Sequence, residues 1–284
     1  MYSVWAAALL LLLPVSSLYA ANIIRLDQAK IRIKIPAGQT ATGRIEIRNP
    51  TPEPKKIKVY AQDWVYSTQF GEKDFFPAGS KKLSCSKWIS FVPAEFSLNP
   101  AAKEYLQYTI RVPEGAKGGY YAVLFFESLL GETKEETEAM AVVPVAVRVG
   151  CLVAIEIEGT AERSAQVDNL SIVKEPDGYK IETDFVNKGN TDITVAGNFN
   201  VVDKAGMVFA RGEFANRYTL PEDKVKISSN WKGKLAKGKY DVIVTLDLGK
   251  SLEELGMGRG PLKVLETQME VGESGAIVTL GQLR

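Results

Sequence analysis

Beyond residue 20 the hydrophobic positions of the chain recur with period two. Ala29, Ile31, Ile33 and Ile35 alternate with Lys30, Arg32 and Lys34; Ile45 and Ile47 alternate with Arg44, Glu46 and Arg48; Ile57, Val59 and Ala61 alternate with Lys56, Lys58 and Gln62. Successive side chains of a strand point to opposite faces, so each segment offers one face to a core and one to water. Before Lys30 the apolar phase is even (Ile24, Leu26) and after it odd, so the first strand is expected to bulge or change sheets around residues 27–29. Strand-like segments follow at residues 88–92 and 106–112, and residues 119–126 are apolar on both faces, as a central strand is. Residues 64–88, rich in Gly, Lys, Asp and aromatics, read as a long loop with one short strand; helical spacing is confined to residues 132–140 and 251–255. After a lull at residues 158–166 the alternation restarts with Tyr179, Ile181 and Phe185 and continues to residues 264–271. The pattern predicts an all-β protein.

The halves echo one another. Strand, Asn, polar turn and strand recur around Asn49 and around Asn187, and each half later opens a strand with Gly and Tyr, at Gly119-Tyr120 and at Gly238-Lys239-Tyr240. Immunoglobulin-like sandwiches place a corner tyrosine at the start of the sixth strand. The expected architecture is two tandem immunoglobulin-like β-sandwich domains, residues 21–159 and 160–284, behind a cleaved secretory signal at residues 1–20. That leader carries no charged side chain and an apolar run of about twelve residues, short of the roughly 20 that cross a bilayer. The mature chain is therefore read as exported, periplasmic or otherwise, with no integral membrane segment.

Composition narrows the chemistry. The 284 residues include 35 Lys and Arg against 34 Asp and Glu, a net charge of +1, which supplies no global field for nucleic acid. No His is present, which excludes Ser-His hydrolases and His-ligated zinc. Glu156 and Glu158 share one strand face with the spacing of a solvated edge, and the glycines of residues 256–260 follow no strand-to-helix pattern that would cradle phosphate. No catalytic residue, metal site or cofactor is expected, and the chain is read as non-enzymatic. Export puts Cys85 and Cys151 where oxidants can join them; one disulfide and two buried free thiols are both open.

One segment is unusual. From residue 141 to 157 every odd position is apolar, including Ala141, Val143, Val145, Val147 and Val149, while the even positions turn polar from Arg148 onward. Fully extended it would reach roughly 56 Å, more than one sandwich needs, so it is expected to run along the last edge of the first domain and into the linker. Pro144 lacks an amide donor and marks this part as an edge. A long apolar edge strand either accepts or donates a strand in pairing with a partner, or is the last strand of its own domain, packed on the core. Both readings stand on the sequence.

In the order of its segments the chain resembles the periplasmic chaperones of chaperone-usher pilus assembly. Residues 24–30 (Ile-Arg-Leu-Asp-Gln-Ala-Lys) are similar to that family's first strand, residues 45–49 to its second, Leu98-Asn99-Pro100 to its turn, residues 120–127 to its sixth strand, and Asp177-Gly178-Tyr179 to the start of the second strand of its second domain. The resemblance implies an assembly chaperone that binds secreted or pilus-like subunits by β-strand addition through Ala141, Val143, Val145, Val147 and Val149, with Lys30 and Arg148 gripping a carboxylate. Departures are Pro144 in the donor ladder, the acidic stretch at residues 132–138, the inexact anchor pair and a chain longer than is usual for the family. A second resemblance covers residues 36–127: Pro36-Ala37-Gly38-Gln39, Ser84-Cys85-Ser86-Lys87-Trp88-Ile89 and the glycine-rich turn before Tyr120 look like WxL-interacting surface proteins, and imply a scaffold that binds cell wall or other surface proteins.

Overall fold

The computed structural model describes residues 24–130, 145–256 and 260–284. The expected leader, residues 132–140, Pro144, Ala141 and Val143 lie outside these. The N-terminal half forms β1 (Arg25–Leu26), β2 (Lys30–Ile35), β3 (Thr40–Arg48), β4 (Lys55–Tyr66), β5 (Lys73–Phe76), β6 (Ile89–Val92), β7 (Glu95–Leu98), β8 (Lys103–Arg111), β9 (Gly119–Leu130) and β10 (Val145–Ile157). The C-terminal half forms β11 (Ala165–Glu175), β12 (Gly178–Asn187), β13 (Ile193–Val202), β14 (Val208–Thr219), β15 (Lys224–Lys232), β16 (Gly238–Asp247), β17 (Leu262–Val271) and β18 (Ile277–Leu280). Short 3-10 turns occupy Ser86–Trp88 and Lys250–Leu255.

In the first half the sheet β1-β3-β8-β6 faces the sheet β2-β10-β9-β4-β5, with β7 paired to the start of β4. This is the A-B-E-D against A′-G-F-C-C′ arrangement of immunoglobulin-like sandwiches. In the second half β11-β12-β15 faces β14-β13-β16-β17-β18, the same plan with the first sheet one strand shorter and with β18 in the place that β2 takes in the first half. The first strand changes sheets where the phase of its apolar residues breaks: Leu26 pairs with Ile47 of β3, whereas Lys30–Ile35 runs parallel to the end of β10. Asp27 closes that corner, its amide donating to the Glu46 carbonyl (3.1 Å) and its Oδ1 accepting from the Glu46 amide (3.0 Å).

Each sandwich has its own core, around Ile45, Leu106, Ile110, Phe126 and Ile155 in one and Tyr179, Phe185, Phe199 and Trp231 in the other. Burying each such side chain contributes about 2 kcal/mol. The paired asparagines explain the internal echo. Asn49 Oδ1 accepts from the Thr51 amide and Asn187 Oδ1 from the Gly189 amide, while both Nδ2 groups donate to loop carbonyls, so each buried Asn folds the turn after an equivalent strand. Tyr240 is a corner tyrosine, donating to the Ala236 carbonyl at 2.9 Å; the Tyr120 hydroxyl instead accepts from the Lys117 amide at 3.5 Å.

β9 is buried on both faces. Ala122, Leu124 and Phe126 face the core, whereas Tyr121, Val123 and Phe125 cluster with Trp64 and Ala154 of the same half, under the β4-β5 hairpin, and with Leu220 of the second half. At this junction Arg32 grips Asp192 with both guanidinium arms (3.0 and 2.5 Å), and the Tyr121 hydroxyl accepts from the Asp192 amide (2.6 Å). Gly118, at φ +78°, lies so close to Asn190 that a Cβ would come within 2.4 Å of its carbonyl oxygen. The β4-β5 hairpin adds a strut. Gln69 Oε1 accepts from the Lys226 amide (3.0 Å), Tyr66 and Tyr218 rings meet at 5.7 Å, and Gly71 (φ +96°) leaves room for the Tyr218 ring.

One expectation changes here, and one open alternative is decided. Glu156 is not part of a solvated edge: it is 3% exposed and ion-paired to Arg163 of the linker, because the second domain covers that end of β10. Cys85 and Cys151 form no disulfide; both are buried free thiols packed in the first core. Burial pushes both thiols up, that of Cys151 to about 12, which keeps them protonated. In the native protein neither thiol should react with a thiol reagent at about pH 8, and both should titrate after unfolding.

Burial acts against a charged Asp192, but the Arg32 charge and hydrogen bonds outweigh it and hold the carboxyl below the usual range. A folded pKa below the unfolded one gives stability that is full above about pH 4 and is lost as pH falls through the folded value. Asp192→Asn, which removes the buried carboxylate that Arg32 grips, should cost about 3 kcal/mol at neutral pH and flatten the acid loss, both read from chemical denaturation curves.

Candidate functional site

β10 is held on one side along nearly its whole length, Val145 through Glu156 pairing antiparallel with β9. Its other side is covered only from Leu152 to Ile157, by the parallel β2. Because β2 starts at Lys30, it cannot reach further, and the outer edge of residues 145–151 has no ladder partner among the described residues. Even residues of β10 direct their backbone groups outward, since the Leu152 amide donates to Ala29 and the Glu158 amide to Ile35, whereas the Ile157 amide donates inward to Gly118. By the period of two, the open edge presents the N–H and C=O of Ala146, Arg148 and Gly150.

The side chains alternate as the sequence suggested. Cys151, Val153, Ile155 and Ile157 are buried, Val147 and Val149 are half-buried at the margin of the same core, and Ala146 and Arg148 are exposed. Val145 contributes its backbone to the strand. This edge can therefore accept an added strand through its backbone while two valines, half covered by their own core, remain for a partner's apolar side chains.

Lys30 and Arg148 lie on the same face of the sheet but apart. Lys30 is opposite Leu152, four residues on from Arg148, roughly 13 Å along the strand. Arg148 stacks on the Phe125 ring (4.2 Å to its centre) and bonds Gln62 (3.3 Å), beside a Glu127 that accepts from Tyr60 at 2.6 Å. The cation that joins Lys30 is Lys73 of β5. Together with Leu152, Phe70 and Tyr218 the two lysines line a cavity of about 260 Å³ in the cleft between the sandwiches. Lys73 Nζ donates to the Gly71 carbonyl (2.7 Å) and faces the Trp64 and Tyr66 rings; burial, with the Lys30 charge, lowers its pKa. With Arg32 also in the lining, cations beside aromatic walls are the chemistry an anion would meet in this cleft.

Sequence reasoning passed over Lys73 because it sits in a loop-like stretch, and over Asp63, which stands in the apolar phase of Ile57, Val59 and Ala61 at the end of the alternating run. Burial disfavours the Asp63 charge, yet the Ser84 hydroxyl (2.6 Å) and the Lys81 amide (2.8 Å) hold its pKa below the usual value, and these bonds shape the loop that ends at Ser86–Trp88. The Trp64-Tyr66 aromatic pair, one residue apart with a lysine nearby, was the signal available. Among the described residues no group of three or more His, Cys, Asp or Glu could hold a metal ion, and no helix is long and apolar enough to cross a membrane.

No protein-family model matches the sequence, and neither does any characterised protein. Among solved structures, the chain is similar to the class 5 fimbriae chaperone CfaA, with 14% identity over 85% of this chain and 98% of that one and a TM-score of 0.46. It is similar to a Salmonella enterica structure of the SafA pilin in complex with the SafB chaperone, with 13% identity over 85% and 94% and a TM-score of 0.40. A third is the CsuC-CsuE chaperone-tip adhesion subunit pre-assembly complex from the archaic chaperone-usher Csu pili of Acinetobacter baumannii, with 10% identity over 86% and 97% and a TM-score of 0.40. At TM-scores below 0.5 these similarities carry no functional weight, which rests on the chain's own residues.

Proposed function

We propose that this protein is an exported, non-enzymatic assembly chaperone that holds secreted, pilus-like subunits by β-strand addition to β10. The observation that carries this reading is the outer edge of residues 145–151, which lacks a ladder partner among the described residues while the same strand is otherwise fully paired. Exposed edges invite non-specific aggregation and are normally blunted, so one kept open beside half-buried valines is suited to capture. The segments that resemble pilus-assembly chaperones fall in the corresponding places: the sheet-switching first strand, the sixth strand β9 and the edge strand β10. The scaffold reading called for a strand buried on both sides, whereas Ala146 and Arg148 are exposed.

In this mechanism the subunit's strand pairs with Ala146, Arg148 and Gly150, its apolar side chains share the groove margin with Val147 and Val149, and its terminal carboxylate enters the cleft at Lys30 and Lys73. Arg148, stacked on Phe125, flanks the added strand and is a second candidate for that carboxylate.

Ala146→Pro removes an outward amide without touching the β9 ladder, and Val147→Asp puts a charge at the groove margin. Both should abolish co-purification of a subunit from the native envelope while circular dichroism stays that of the parent; unfolding of both variants, or undiminished capture, would sink the proposal. For the anchor, Lys73→Ala should weaken binding of a peptide with a free C-terminal carboxylate about tenfold and leave its amidated form unchanged, with Arg148→Ala measured beside it by titration calorimetry.

A further inference from the structure

A second cavity, of about 550 Å³, opens on the boundary between the two sandwiches. Its floor is apolar, formed by Trp64 and Tyr121 of the first and Leu220 of the second. Its rim carries four lysines: Lys81, Lys82 and Lys117 from one domain and Lys188 from the other. Lys82 has a counter-ion, Glu222 at 4.0 Å, in a pair whose members are both 84% exposed and hence weakly held. The Lys81 ammonium rests 3.4 Å from the centre of the Phe76 ring. Lys117 and Lys188, one from each domain, form no ion pair among the described residues. The other acid of the lining, Asp223, is engaged by the Leu220 amide at 2.8 Å.

Positive charge is thus gathered around an apolar recess in a protein whose net charge is only +1. A flat bilayer or a duplex is met by a broad basic surface, whereas a recess of this size takes a side chain. With cations from both domains around an apolar floor, the complementary ligand joins negative charge to an apolar group. We propose that this cavity docks an acidic peptide segment of a partner protein, its carboxylates on Lys117 and Lys188 and an aromatic or large aliphatic side chain against Trp64, Tyr121 and Leu220. Because the two lysines belong to different domains, such a segment also bridges them. The site is separate from the β10 edge, and neither depends on the other.

The probe is a fluorescein-labelled pentapeptide with a phenylalanine between two pairs of acidic residues, amidated at its C-terminus so that a carboxylate site cannot retain it. Fluorescence anisotropy on the full mature chain should show saturable binding that weakens with added salt, and about tenfold with Lys117→Glu and Lys188→Glu combined. The exposed pair Lys234→Glu and Lys239→Glu, outside the cavity, should leave binding unchanged, and replacing the phenylalanine by serine should remove most of it. Absence of binding to the parent protein, equal loss in the two charge-reversal variants, or indifference to the phenylalanine would each overturn the proposal. All four substituted lysines, Lys117, Lys188, Lys234 and Lys239, are exposed, so folding is not at stake.

Discussion

The buried contact of Arg32 with Asp192 is the constraint on which the arrangement of the two domains depends. Two opposite charges removed from water repay their desolvation only when geometry is good and their remaining hydrogen bonds are made. Here the guanidinium is bidentate, the Tyr121 hydroxyl accepts from the Asp192 amide, and the Ser251 hydroxyl donates to the Asp192 carbonyl. Arg32 lies on β2, Tyr121 on β9 and Asp192 just before β13, so one polar cluster fixes both sandwiches relative to the sheet that contains β10. The Glu156 pair with Arg163 adds a second buried tie at the linker.

From that fixed junction the rest follows in space. β2 must lie beside the end of β10 to place Arg32, and it must leave the other sheet at Asp27, so it pairs with β10 only from Leu152 onward. The start of β10 is left as an edge, and the cleft between the domains receives Lys30 and, through the β4-β5 hairpin, Lys73. The hairpin is itself held by Gln69 and by the Tyr66-Tyr218 contact on the second domain. The junction and the edge are therefore coupled: the same strand, β2, supplies the lock and sets the limit of the open edge.

The second domain shows how an edge is closed when it is not for use. β18 and the residues that follow it run along β17, with Glu266 and Arg284 exchanging backbone hydrogen bonds at 3.0 Å, and Ile277, Leu280 and Leu283 pack on the core. The apolar tail of the sequence is thus a cover for a sheet edge, which makes the uncovered stretch of β10 the more distinctive.

Most strands were legible in the amino-acid order because backbone alternation is local: Ile31, Ile33 and Ile35 announce a face, and the change of phase at Lys30 announces a change of sheet. The two asparagines announced equivalent turns for the same reason, since an Asx turn is built within three residues. Alternation says which face a side chain takes, however, and not what lies opposite it. Arg32 and Glu156 occupy polar positions that look solvent-facing, and only the packing of one domain on the other buried them; Asp63 falls in phase with Ile57 and Val59, and only the loop packed on its sheet supplies the partners that satisfy it there. Lys73 met Lys30 through a hairpin whose reach no spacing encodes, Arg148 was drawn to Phe125 rather than to Lys30, and the two cysteines were kept as separate buried thiols. The sequence by itself determined the strands, their faces and the sandwich class, because these depend on neighbours in the chain; the open edge, the cleft and its cations were decided by tertiary structure, because they depend on contacts between residues far apart in it.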